Sequence, residues 1–202
     1  MAIQTTRARF AGVAIAVVTG SVCIPWTQTA TAAEPAPRHC VVDARSGQQS
    51  CFATFTAAVD RATDGRVTDA PATPREAAAS PSFRAELSGL RATAASRAAS
   101  KARTKAEGDV IQGTFFDGKN FTGSSLTITG PGLCEKDGWV NYQHDLADDW
   151  KNRISSVQPW GNCAVWLYPE PGLGGDRDGP FDENTADIGQ MMNDRTQSIG
   201  FS

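Results

Sequence analysis

One stretch of this chain contains itself twice, and that repeat narrows the possible folds more than any other feature. Phe116-Asp-Gly-Lys-Asn-Phe121-Thr-Gly123 is answered by Tyr168-Pro-Glu-Pro-Gly-Leu173-Gly-Gly175. Both read aromatic, four residues, bulky apolar residue, one residue, glycine. A second landmark follows each copy: Lys151-Asn-Arg-Ile-Ser-Ser156 and then Asn193-Asp-Arg-Thr-Gln-Ser198, each leading into an aliphatic residue, Val157 or Ile199. The first landmarks are 52 residues apart and the second 42, so the first copy carries the longer loop. Two matched landmarks make a far stronger signal than either alone.

The spacing has a physical meaning. An aromatic that ends one strand, followed by a hairpin folded back over the sheet, needs a residue at positive φ where the chain reverses. Gly123 and Gly175 supply it without a Cβ penalty. Phe121 and Leu173 are then expected to tuck under the hairpin. Ser156 and Ser198 are expected to hydrogen-bond its exposed backbone. Short alternating runs surround these landmarks: 110–116, 125–129, 153–157, 164–168 and 198–201. Their spacing suits an antiparallel β-sandwich, and some ninety residues suffice for one.

The paired motifs resemble the two Greek keys of a microbial βγ-crystallin domain over 109–202. The resemblance implies an all-β fold, with two Greek-key motifs forming a sandwich. It also implies calcium sites. In the family, the six-residue element gives a carbonyl from its third residue and a side-chain ligand from its fifth. The residue after the first aromatic of the opposite key adds a carbonyl. Carried over, one site would use Arg153, Ser155 and Pro169, and the other Arg195, Gln197 and Asp117. All-oxygen ligation suits a hard cation. Both copies depart from the pattern, since Lys151 stands where Asn or Asp is expected and Gln197 where Ser or Thr is expected.

The rest of the chain speaks to compartment. Residues 1–33 read as a secretory signal: Arg7 and Arg9, then an apolar run from Phe10 to Val18, then Ala30-Thr31-Ala32 as a cleavage site. The apolar run is too short for a retained span. Cleavage removes Cys23 and leaves four cysteines, for which three pairings are open in an oxidising compartment. The simplest is Cys40 with Cys51 and Cys134 with Cys163. Residues 34–68 read as a hairpin turning at Ser46-Gly47, then an amphipathic helix carrying Phe52, Phe55, Val59 and Ala62 at helical spacing. Residues 69–107, rich in Ala, Arg, Ser, Thr and Pro, read as a basic, partly helical linker in which only Phe83, Leu87 and Leu90 offer apolar bulk.

Charge and chemistry exclude several classes. Residues 109–202 hold six basic and fourteen acidic residues, a balance opposed to nucleic-acid binding. No Gly-x-Ser-x-Gly accompanies His144, the adjacent acid pairs point to opposite strand faces, and the glycines at 172, 174 and 175 precede no helix. The expectation is therefore a secreted, monomeric, non-enzymatic module with calcium as its possible cofactor and no membrane association after cleavage. The alternative is a proteinaceous inhibitor of a secreted metallopeptidase, a family that shares the fold. Its reactive segment would be the loop between Gly130 and Asp149, anchored at Cys134.

Overall fold

The computed structural model describes residues 36–99 and 110–202. Residues 1–33, expected as a secretory signal, and the 100–107 end of the expected linker lie outside the described residues. Strands form where the sequence alternates. In β3 (Val110–Gly118) and β4 (Thr122–Gly130), an antiparallel hairpin, Phe115 stands opposite Leu126. After them come β5 (Tyr142–Asp145), β6 (Ser156–Pro159), β7 (Val165–Tyr168), β8 (Asp178–Phe181) and β9 (Ser198–Phe201). Ahead of them lie β1 (His39–Asp43) and β2 (Gln49–Phe52). One sheet runs β2-β1-β4-β3-β6 and the other β5-β9-β7-β8.

Each key lends a strand to the other key's sheet. β5 of the first key pairs antiparallel with β9 of the second, and Thr185 of the second key bridges Val157 in β6 of the first. This is the expected all-β sandwich of two interlocked Greek keys, and its fold is βγ-crystallin-like. Between the sheets Phe115, Leu126, Ile128, Trp150, Val157, Val165, Leu167, Ile199 and Phe201 are almost wholly buried. Burial of this apolar surface supplies the main favourable term for folding.

Two strands fall outside the sequence expectation. The stretch from Gly130 to Asp149, expected as one long loop, is divided by β5. That strand lies at a sheet edge, exposes alternate residues and carries polar side chains, so its pattern is weak. β8 contains Gly179 and Pro180, which read as breakers, and it too lies at an edge, where proline is tolerated.

The N-terminal residues are built into the sandwich. β1 pairs in parallel with β4, matching His39 to Ser125 and Val42 to Ile128, and β2 closes the edge as the hairpin partner of β1. The period of two sorts the side chains: Cys40 and Val42 join the sandwich core, while Val41 faces outward onto Ala58 and Ala62. Those alanines belong to α1 (Phe55–Ala62), whose N-terminus is capped by Thr54 through Ala57 N–H. Two helices follow in the 69–107 stretch. α2 (Pro74–Ala79) starts with a Thr73–Glu76 capping box and Pro74 in its first turn, and α3 (Pro81–Ala99) buries Phe83 and Leu87. Both side chains join Phe55, Val59 and Val67 in a second, smaller core, against which Ile111 and Trp160 of the sandwich pack.

Helices α1 and α2 cover the outer face of β4, which explains an otherwise odd feature. Ser125, Thr127 and Thr129 are buried although polar. Each hydroxyl has a partner: Ser125 meets His39 Nδ1 at 2.9 Å, Thr127 meets Thr114 at 3.3 Å, and Thr129 donates to the Val42 carbonyl at 3.3 Å. Burial pushes the His39 imidazole below its ordinary value of 6.5, against the opposing pull of Asp117. His144 shifts the same way for the same reason, opposed by Asp145. Both rings are therefore held neutral in the fold, and the unfolded chain takes up protons first as pH falls. The stability they contribute is complete above the ordinary histidine value and is lost as pH falls from there through the lower folded values. Urea midpoints should drop between about pH 7.5 and about pH 5, and His39→Gln should shrink that drop. Equal midpoints at the two pH values would contradict this account.

Candidate functional site

The two six-residue elements, 151–156 and 193–198, meet and grip each other by the same bonds in both directions. Asn152 N–H donates to the Thr196 carbonyl at 2.8 Å, and Asp194 N–H donates to the Ile154 carbonyl at 3.1 Å. In each element the donor is the second residue and the acceptor the fourth. The second residues share a left-handed backbone, φ 57° at Asn152 and 54° at Asp194, which Asn and Asp tolerate better than other side chains do. Symmetry continues at the fifth position. Ser155 N–H donates to the Phe116 carbonyl and Gln197 N–H to the Tyr168 carbonyl, both at 2.8 Å. Their carbonyls accept from Ile188 and Leu146 of the opposite keys.

The sixth position does what the sequence implies. Ser156 Oγ donates to the Gly118 carbonyl at 2.7 Å and accepts from Phe121 N–H at 3.1 Å. Ser198 Oγ donates to the Glu170 carbonyl at 2.6 Å and accepts from Leu173 N–H at 3.0 Å. Gly123 and Gly175 have φ 76° and 79°. A Cβ on Gly123 would also collide with the Asp117 carboxylate, and one on Gly175 would meet the Pro169 ring at 2.7 Å. Phe121 packs edge-on against Phe116 at 5.7 Å between centroids.

The residues named as calcium ligands fall together by key. Ser155 Oγ donates to the Asp117 carbonyl at 3.1 Å, a contact between two residues that the resemblance assigns to different sites. The equivalent residues of the second key are Pro169 and Gln197, joined through the bond from Gln197 N–H to the neighbouring Tyr168 carbonyl. Arg153 and Arg195 occupy the third positions.

Electrostatics separate the two keys. Arg153 Nη2 lies 2.6 Å from Asp117 Oδ2, Arg153 Nη1 donates to the Asp149 carbonyl at 2.6 Å, and the guanidinium stacks over Trp150 at 5.0 Å. Asp117 Oδ1 accepts from Ser124 N–H at 2.6 Å. Lys151 pairs with Asp148, whose carboxyl is held below its ordinary range by that hydrogen bond and charge. The second key has Asn193 where the first has Lys151. Asn193 Nδ2 donates to Asp194 Oδ2 at 2.7 Å, while Asn193 Oδ1 is buried without a partner. An orphaned buried acceptor invites a cation or a donor. Both donor sets are oxygen-only and so fit calcium in kind, but the first already holds a guanidinium.

Neither disulfide needs a rearranged pairing: Cys40 bonds Cys51, and Cys134 bonds Cys163. Among the described residues no group of three or more His, Cys, Asp or Glu side chains gathers as a metal site, and no helix is long and apolar enough to cross a membrane. Trp139, in the segment between Cys134 and β5, is 76% exposed, a placement the sequence did not indicate.

No family model matches the chain, and no curated protein matches it. Several solved structures are similar to it. The N-terminal domain of protein S is 22% identical over 45% of this chain and 94% of that domain, with a TM-score of 0.35. A βγ-crystallin domain from Clostridium beijerinckii is 18% identical over 45% of this chain and 95% of its own, with a TM-score of 0.35. Protein S complexed with calcium is 26% identical over 49% of this chain and 51% of its own, with a TM-score of 0.36. The fold assignment itself rests on the interlocked keys and their serine-held hairpins.

Each serine satisfies a part-buried carbonyl and a part-buried N–H at once. Ser156→Ala and Ser198→Ala should each destabilise the protein by about 2 kcal/mol, the cost of leaving such groups unpaired. Chemical denaturation measures it, and a loss below about 0.5 kcal/mol for both would mean that the hairpins are held otherwise.

Proposed function

We propose that this chain is a secreted, non-enzymatic βγ-crystallin-like module that takes calcium weakly and at its second key alone. The contrast between the keys carries this reading. In the first, the Arg153 guanidinium occupies the Asp117 carboxylate, and Lys151 adds a second cation to the same six-residue element, so a divalent ion would have to displace or oppose positive charge. In the second, Asn193 Oδ1 is buried without a partner, and Pro169, Glu170, Asp194 and Gln197 offer further oxygens along the same key. With few charged ligands and a long glutamine arm, the expected affinity is that of extracellular modules, about 10⁻⁴–10⁻³ M. Two disulfides and the leader-like residues 1–33 support export.

A second reading, inhibition of a secreted metallopeptidase, is favoured by one observation. Trp139 projects from a segment pinned by the Cys134–Cys163 bridge and by Asn162 Nδ2 donating to the Cys134 carbonyl at 3.0 Å. Exposed tryptophans on rigid segments are common binding anchors.

Titration calorimetry of metal-free protein should show one calcium site, lost in Asn193→Ala and unaffected by Ser155→Ala. Two sites, or no heat up to millimolar calcium, would overturn the calcium assignment. Assays against a panel of secreted metallopeptidases test the second reading, in which Trp139→Ala abolishes the inhibition shown by the parent chain.

A further inference from the structure

The seam between the small helical core and the sandwich contains a cavity of about 260 Å³, at the end of the molecule where β6 turns into β7. Its apolar lining comes from Leu87 and Leu90 on α3, Ile111 at the start of β3, and Trp160 in the turn after β6. Three cations also line it: Arg66 after α1, Arg84 on α3, and Lys136 on the segment pinned by the Cys134–Cys163 bridge. Asp182 is the one acid there.

The charge pattern is unusual for this molecule. Residues 109–202 carry more than twice as many acids as bases, yet this cavity is lined by three bases and one acid. Among the described residues Arg45, Arg61, Lys119, Lys151 and Arg153 have carboxylate partners, whereas the cavity's Arg66, Arg84 and Lys136 have none. Arg66 is oriented by its Nε–H, which donates to the Thr63 carbonyl at 2.7 Å and leaves its terminal nitrogens available. Gathering like charges around one concavity costs free energy unless an anion balances them. A low-dielectric wall beside them focuses their field into the cavity.

We infer that this cavity binds a small amphiphilic organic anion. The carboxylate or sulfonate head would sit among Arg84, Lys136 and Arg66, and the apolar body would lie on Leu87, Leu90, Ile111 and Trp160. Guanidinium groups match carboxylates and tetrahedral oxyanions alike, presenting paired N–H donors to two of their oxygens. An apolar concavity with a few convergent polar groups is the usual form of a small-molecule site. The inference is independent of calcium, because neither key contributes a six-residue element to the cavity.

The probe is 8-anilinonaphthalene-1-sulfonate, titrated into the natively folded full mature chain by calorimetry and by its fluorescence. A single saturable site with enhanced, blue-shifted emission is expected. The exposed double variant Arg84→Ala/Lys136→Ala should bind about tenfold more weakly with an unchanged melting temperature. The uncharged analogue N-phenyl-1-naphthylamine should bind the parent chain more weakly by a similar factor. Absence of saturation at millimolar probe overturns the proposal. So does equal affinity of parent and double variant, which would mark adventitious apolar adsorption. Binding that emerges only when residues 91–109 are replaced by a Gly/Ser run of equal length would assign the cavity to the chain's own segment, and also overturns it.

Discussion

The reciprocal backbone exchange between residues 151–156 and 193–198 is the constraint on which the sandwich depends. Asn152 and Asp194 turn left-handed, and each N–H then meets the carbonyl of the opposite element. From there each element passes directly into β6 or β9, so the exchange sets the register of both strands against β3 and β7. The serines at their starts then hold the two hairpins. Neither key can close its own sheet, because β5 and Thr185 are lent across. The two halves therefore gain their hydrogen-bond partners together, which makes folding of one half without the other unfavourable.

A sandwich of this size has limited apolar surface to bury, and its edges are open to pairing. The N-terminal residues address both problems. Strand β1 covers the β4 edge, and the hairpin ends in a four-residue strand that leaves little template for another chain. Helices α1 and α2 bury the hydroxyl-lined outer face of β4, a surface that water would otherwise satisfy. The disulfides act in two places: one closes the added hairpin, and the other ties the β4–β5 segment to the start of β7 across 29 residues. Three of the four bridged cysteines sit in the main core, so the bridges also serve as packing.

Legibility in the sequence tracks how local each cause is. Gly123, Gly175, Ser156 and Ser198 were readable because each answers a requirement set within a few residues or repeated at a fixed spacing. The five alternating runs were readable because buried β-branched and aromatic residues mark them. β5 and β8 were hidden because edge strands need only one partner and tolerate polar residues, glycine and proline. The parallel pairing of β1 with β4 left no trace that periodicity can find, since both strands alternate whether or not they touch. The contact between Asp117 and Ser155 depends on which strands neighbour each other, and single-sequence reading has no access to that. The cavity is the extreme case: its cations, Arg66 after α1, Arg84 on α3 and Lys136 in a loop, are spread over 70 residues of chain.

The two keys are copies in backbone but differ in charge, two bases and no acid in 151–156 against one base and one acid in 193–198, and part of the reason lies in which positions the exchange uses. Positions two, four and six are constrained: a left-handed turn at two, a carbonyl buried at four, a hydroxyl at six. Carbonyls come from any residue, so only positions two and six restrict identity, and there the copies read Asn or Asp and then Ser in both. Positions one and five take no part in the clamp through their side chains. There the copies read Lys151 against Asn193 and Ser155 against Gln197. Scaffold and ligand chemistry are thus carried by alternate residues of the same six. Arg stands at position three in both copies, so the internal pair of the first key comes from Asp117, where the second key has Pro169, while Asn193 at position one leaves the second key an unpartnered amide oxygen; neither difference touches the positions that hold the sandwich.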